Sequence, residues 1–178
     1  MSTAECTRPV ADRLIVIRHA KADYPPGLSD RQRPINARGR RDALSAGVWL
    51  RDHADELIVG TCEAIVSDAV RTQQTWELVS RHLPGVKAVI EPRIYNADAS
   101  RVDERLRESS AQTVIVVGHN PAMHDTVLTF TGADPLGLAS SLAWKFPTCA
   151  IAVLDFSGAG GFVEHGAALA AVRLPRDE

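Results

Sequence analysis

The sequence predicts an α/β fold: a single three-layer α/β/α domain around a mostly parallel sheet. Three observations predict it. Short, continuous apolar runs such as Leu14–Ile17 and Thr113–Val117 fit strands buried on both faces. Segments of helical character separate them, which calls for crossover connections and a parallel sheet. The chain has 178 residues, 45% hydrophobic and 24% charged, enough for one domain to bury a core without disulfides or metals.

The elements follow in order. Met1–Asp12 is polar and reads as a flexible arm, with the domain over 13–178. Leu14–Ile17 is the first strand, and Lys21–Arg33, rich in Pro, Gly, Ser and Asp, is a loop. Asn36 is the N-cap of a helix through Arg51, with Ala43, Gly47, Val48 and Leu50 toward the core. Ala64–Ser67 is the second strand, followed by a helix over Val70–His82 and a turn at Leu83-Pro84-Gly85. Val86–Ile90 is a third strand. Ser100–Ser109 is a helix, with Ser100 as its cap and Asp103 in its first turn. Thr113–Val117 is the clearest strand, and Gly118-His119-Asn120-Pro121 follows it at once. Asn120 as cap and Pro121 at the first position open a helix that runs to Thr131 and ends at Gly132. Ala150–Phe156 is a further strand, and Phe162–Leu174 supplies a last one, antiparallel at the edge.

Composition narrows the function. A net charge of -2 gives no footprint for nucleic acid or an anionic membrane. Cys6, Cys62 and Cys149 are scattered and form no CxxC pair, which suits a reducing compartment. The N-terminus has no apolar core of a signal peptide, and no run reaches the ~18–20 apolar residues of a membrane span. A soluble cytoplasmic protein is expected. There is no HExxH spacing and no Gly-rich Walker loop, so neither a metal nor a cofactor is expected.

In open α/β sheets, ligands bind beyond the carboxyl ends of the strands. The first strand ends directly into Arg18-His19, the second just before Asp68-Ala69-Val70-Arg71, and the fourth into Gly118-His119-Asn120. Two histidines and two arginines therefore fall at one edge of the sheet. Two planar guanidinium forks can clamp the oxygens of a phosphoryl group. A neutral imidazole can attack phosphorus, and a second, charged histidine can bind the equatorial oxygens as charge shifts. Lys21 and Asn120 stand beside these groups as candidate substrate contacts. His53, His82, His124 and His165 belong to no motif, and Trp49, Trp76 and Trp144 are expected as core or half-buried packing residues.

These residues resemble a known group. Leu14-Ile15-Val16-Ile17-Arg18-His19-Ala20-Lys21 is similar to the RHG or RHA signature of the histidine phosphatase superfamily. Ser67-Asp68-Ala69-Val70-Arg71-Thr72-Gln73-Gln74-Thr75 resembles its second motif and Val117-Gly118-His119-Asn120-Pro121 its third. The small size, the RHAKAD opening and Arg33-Pro34-Ile35-Asn36-Ala37-Arg38-Gly39 look most like the SixA-type phosphohistidine phosphatases. The resemblance implies a phosphoglycerate mutase-like fold, His19 as nucleophile, and Arg18, Arg71 and His119 as phosphate ligands. Larger relatives carry an acidic proton donor between the second and third motifs. Here Glu91, before Pro92-Arg93-Ile94-Tyr95, is nearest in style but lacks the surrounding pattern. The expected function is a metal-independent phosphatase acting on protein phosphohistidine. The alternatives are a small-molecule phosphomonoesterase or mutase of the same superfamily, or a phosphate-binding regulatory domain without turnover.

Overall fold

The computed structural model describes residues 11–175, so most of the arm expected over Met1–Asp12 lies outside the described residues. Seven strands form one sheet in the order β3-β2-β4-β1-β6-β7-β5. They are β1 (Arg13–Arg18), β2 (Cys62–Ser67), β3 (Lys87–Glu91), β4 (Thr113–Gly118), β5 (Thr131–Ala133), β6 (Ile151–Asp155) and β7 (Ala167–Arg173). The helices are α1 (Ala37–Asp52), α2 (Ala54–Leu57), α3 (Val70–Ser80), α4 (Ala99–Leu106) and α5 (Ala122–Phe130).

The pleat explains the layers. Successive residues of a strand face opposite sides, and each central strand splits its apolar run between two cores. Leu14 and Val16 of β1 join Val114 and Val116 of β4 beneath Val102 and Leu106 of α4 and Met123, Val127 and Phe130 of α5. Ile15 and Ile17 join Ile115 and Val117 beneath Ala43, Ala46 and Leu50 of α1 and Trp76 and Val79 of α3. A strand buried on both faces needs apolar residues at every position, which is why these runs do not alternate.

β1, β2, β3 and β4 are mutually parallel. β6 runs antiparallel to both β1 and β7, and β5 is parallel to β7. The sheet is thus mostly parallel, with β6 the reversed strand. The last strand is antiparallel to its neighbour, as expected, but it does not lie at the edge. β5, only three residues long, sits outside it. There Gly132 lies so close to the His165 carbonyl that any Cβ would overlap it.

Other expectations need correction. α4 is capped by Asp98, whose carboxylate accepts from the Arg101 amide at 2.9 Å. Ser100 instead lies inside the helix and donates its hydroxyl to Asp98. Asp103 falls beyond the first turn. α5 begins one residue later than expected, at Ala122, with Pro121 at the cap position. Asn120 does not cap it: its Oδ1, the atom a cap would use, accepts from no protein group, while its Nδ2 donates to the Phe146 carbonyl at 2.9 Å. On α1, Ala46 is buried and Val48 only half so. Trp76 is buried and Trp49 packs against the core, but Trp144 is 94% exposed.

α1 starts as the sequence predicts, with the Asn36 side chain accepting from the Gly39 amide at 2.8 Å. Gly39 has a second role. A Cβ there would overlap the Lys21 carbonyl, on the strand of backbone that has just left His19 and Ala20. Gly39→Ala is expected to cost about 1–3 kcal/mol of stability, as overpacking does. Turnover should fall with it, since the backbone that must yield leads straight to His19. Urea unfolding and steady-state kinetics on the same preparation check both.

Candidate active site

Strand register assembles the site. β1 and β4 pair with Arg18 opposite Gly118, so the next residues, His19 and His119, leave the sheet side by side. Their rings lie 5.2 Å apart. β4 pairs in turn with β2, Val117 opposite Val66, which brings Ser67 alongside. Three strands end together, and their ends deliver the residues.

His19 is only 9% exposed. Its Nδ1 lies 2.8 Å from the Ala20 carbonyl, which can only accept, so Nδ1 carries the proton and Nε2 keeps its lone pair. His119 has the opposite tautomer. An arginine can only donate, so Nδ1 accepts from Arg71 Nη2 at 3.2 Å, and Nε2–H donates to Ser67 Oγ at 2.9 Å.

Arg18 donates Nη1 to the Phe146 carbonyl at 2.8 Å. Asn120 donates to the same carbonyl, so one backbone oxygen aligns the second residue after β4 with the last residue of β1. Arg71, on the first turn of α3, is 5% exposed. The Nε atoms of Arg18 and Arg71 and Oδ1 of Asn120 are buried and have no protein partner. Two unsatisfied guanidinium N–H groups beside a neutral histidine suit an anion with several oxygens.

The second motif is built into this geometry. Thr72 turns its hydroxyl back onto the Ser67 and Ala69 carbonyls, closing the turn between β2 and α3. Thr75, four residues after Arg71, donates to the Arg71 carbonyl at 2.6 Å and accepts from the Ala20 amide at 3.0 Å. It joins the first motif to the second. Gln74 accepts from the Ile35 amide at 2.9 Å and anchors the loop before α1.

Both histidines are held neutral. Burial pushes His19 down to about 3; the Ala20 carbonyl opposes this, and His119, Arg71 and Arg18 add to it. Burial pushes His119 down to about 4, with Arg71 and Arg18 adding and Asp30 opposing. An unfolded histidine titrates near ~6.5. Below that pH the unfolded chain takes up protons that the folded chain refuses. Stability is therefore full above about 6.5 and declines as pH falls toward 4. Thermal unfolding across a buffer series should show that decline. The kcat/KM for an aryl phosphate should show no loss centred near 6.5, because it reports the free enzyme.

Lys21 follows this cluster on the surface, its side chain exposed. Glu91 does not join the cluster. Its carboxylate accepts from Arg93 at 3.0 and 2.8 Å and from Arg105 Nε at 2.9 Å, and Arg105 also reaches Glu63. Hydrogen bonds from Arg93 above all pull Glu91 down to about 2. It is ionised and fully engaged in tying β3 to α4. Glu91→Gln is expected to lower stability by about 1–3 kcal/mol, the cost of weakening bonds to a buried charge. The rate per folded molecule should stay within about twofold, well short of the ~10²-fold or more lost with a general acid. Denaturant titration beside active-site-normalised kinetics separates the two effects.

Sequence reading missed Asp30 and Tyr95. Asp30 bonds Arg71, and Tyr95 bonds Asp30 and stands edge-on to His119 at 5.5 Å between ring centres. No local pattern marks either one. Among the described residues, no cluster of three or more His, Cys, Asp or Glu could hold a metal ion. None of the described helices is long and apolar enough to cross a membrane.

The family model for the histidine phosphatase superfamily (branch 1) matches residues 14–106, more than half of the chain. The chain belongs to the histidine phosphatase superfamily. It is a phosphatase with a phosphoglycerate mutase-like α/β fold. An uncharacterized protein of Mycobacterium tuberculosis is 36% identical over 166 residues, 90% of this chain and all of that one. A SixA phosphohistidine phosphatase homolog of Haemophilus influenzae is 26% identical over 129 residues, 67% of this chain and 77% of that one. Among solved structures, a protein assigned as the phosphohistidine phosphatase SixA from Agrobacterium tumefaciens superposes with a TM-score of 0.77 at 28% identity. The match covers 93% of this chain and 99% of that one. The matched span 14–106 holds Arg18, His19 and Arg71 but stops short of His119, which joins them through the β1–β4 register.

Proposed function

We propose that this phosphatase transfers a phosphoryl group onto Nε2 of His19 and then to water, with protein phosphohistidine as its substrate. The observation that carries this reading is the His19 tautomer: Nδ1–H is committed to the Ala20 carbonyl, and Nε2 is left with a lone pair beside the buried Nε–H groups of Arg18 and Arg71. In the first half-reaction that lone pair forms an N–P bond as the bond from phosphorus to the leaving group breaks. The leaving group takes the bonding electrons. Water then attacks the phosphohistidine, releasing inorganic phosphate and restoring His19. Arg18 and Arg71 stabilise the charge on the equatorial oxygens. A dianion among these groups favours a protonated His119, which then donates as well. Arginine and histidine supply the positive charge, so turnover is expected to persist in EDTA.

The carboxylates support this substrate class. Asp30 is held below the ordinary carboxylate range, first by its hydrogen bond from Arg33, and Glu91 is committed to Arg93 and Arg105. Neither offers a proton to a departing alkoxide. An imidazole already protonated on its other nitrogen leaves as a neutral ring and needs no such donor, and the likeness to SixA-type proteins supports the same substrate.

Rates on a phosphohistidine peptide, an aryl phosphate and phosphoserine, measured side by side, test this. The first two should be turned over and phosphoserine at least ~10²-fold more slowly, the worth of a missing general acid. Comparable rates on phosphoserine and the aryl ester would overturn the substrate class and favour a small-molecule phosphomonoesterase.

A further inference from the structure

Between β1 and α1 lies a short 3-10 turn, Asp30–Gln32, whose first residue reaches the site. Asp30 grips the outer edge of Arg71 twice. Its backbone carbonyl accepts from Nη1 at 2.5 Å and its Oδ2 from Nη2 at 2.9 Å. The other Nη2 hydrogen goes to Nδ1 of His119. The Nε–H is buried and has no protein partner.

The Asp30 carboxylate is itself held from two sides. Arg33 donates Nη1 to Oδ1 at 2.8 Å, and Tyr95 donates its hydroxyl to Oδ2 at 2.8 Å. Arg33 is pinned in turn by the Asp23 carbonyl and lies over the Tyr24 ring. Arg31 lies over the Tyr95 ring. The loop before α1 and the segment after β3 thus meet at one carboxylate.

We propose that Asp30 is a positioning residue for Arg71: it fixes the guanidinium so that the Nε–H faces the transferring phosphoryl group, and Tyr95 and Arg33 fix Asp30. The proposal rests on the phosphatase reading above. An arginine side chain has several soft torsions, and a displacement on the order of 1 Å can cost ~10²-fold in rate. A guanidinium held along one edge by two acceptors on a single residue presents its Nε–H in one direction.

Charge and position make opposite predictions. A carboxylate near a phosphoryl dianion repels it, so on charge alone its removal strengthens anion binding. On position, removal weakens it. The Asp30 side chain is 52% exposed, so water and salt screen its charge, whereas its hold on Arg71 is direct.

Vanadate titrations and aryl phosphate kinetics on the wild type, Asp30→Asn, Arg71→Ala, the double variant and Tyr95→Phe decide between them. Asp30→Asn should weaken vanadate binding about tenfold and lower kcat/KM about 10- to 100-fold. Tyr95→Phe should cause a smaller loss in the same direction, and it carries the test should Asp30→Asn fold poorly. In the Arg71→Ala background, Asp30→Asn should change vanadate affinity by less than about twofold, because a residue acting through Arg71 has nothing left to act on. Tighter vanadate binding by Asp30→Asn, unchanged binding, or an equal loss with and without Arg71 would overturn the proposal while leaving the phosphatase reading intact. A wild type that binds no vanadate would overturn the pocket and this proposal together.

Discussion

His19→Ala is expected to fold and to lose turnover by about 10⁴–10⁶-fold, the scale on which removal of a covalent nucleophile acts. His119 is not free to take its place. His119 is committed through both ring nitrogens, accepting from Arg71 and donating to Ser67. The fold should survive, because the strand pairing that carries His19 is backbone and apolar. The His19 amide still donates to the Gly118 carbonyl at 3.0 Å, and Leu14, Ile15, Val16 and Ile17 behind it are fully buried. The change also removes a histidine that burial holds neutral. The loss of stability on acidification described above should therefore be smaller in this variant than in the wild type. Circular dichroism, thermal unfolding at pH 5 and 7, and kinetics on one homogeneous preparation check all three points.

The second large effect concerns the arginines. Arg71→Ala and Arg18→Ala should each lower kcat/KM by about 10²–10³-fold, the cost of losing one preorganised donor to transition-state charge. Vanadate affinity should fall in step, because a donor aimed at the transferring group stabilises the transition state and its mimic alike. Lysine should not restore either arginine. A lysine is a point charge on a flexible stem and cannot hold two acceptors along one edge while offering a further donor in a set direction. For Arg71 this is acute, since its guanidinium serves Asp30 and His119 at once. Substitutions that left vanadate binding unchanged would mean that the two Nε–H groups point elsewhere.

Much of this site was legible in the sequence because strand ends are legible. Continuous apolar runs locate β1, β2 and β4, and the ligand rule for α/β sheets places Arg18, His19, Arg71 and His119 at one edge before any contact is known. The parts that were not legible share a physical cause. A continuous apolar run looks the same whichever way its strand points, so the reversal of β6 left no mark. Three residues of β5 are too few for a pattern. Asn120 has the chemistry of a helix cap, but tertiary structure gave its amide the Phe146 carbonyl instead. That carbonyl, which also orients Arg18, is backbone and has no side-chain signature. Asp30 and Tyr95 lie at short 3-10 turns outside the long helices and strands, and meet at the site only because those segments fold onto it. Trp144, expected to pack, is exposed on the stretch leading to Phe146, whose own side chain is fully buried.

Rapid quenching with ³²P-labelled substrate looks directly for a covalent phosphohistidine on His19. Wild-type protein stopped within the first turnover and denatured should carry labelled phosphate that is labile in acid and stable in base. Peptide mapping should place it on His19, and His19→Ala should carry none. Label on another residue, or a wild type that turns over at full rate with no phosphoenzyme at any quench time, would rule out His19 as the nucleophile.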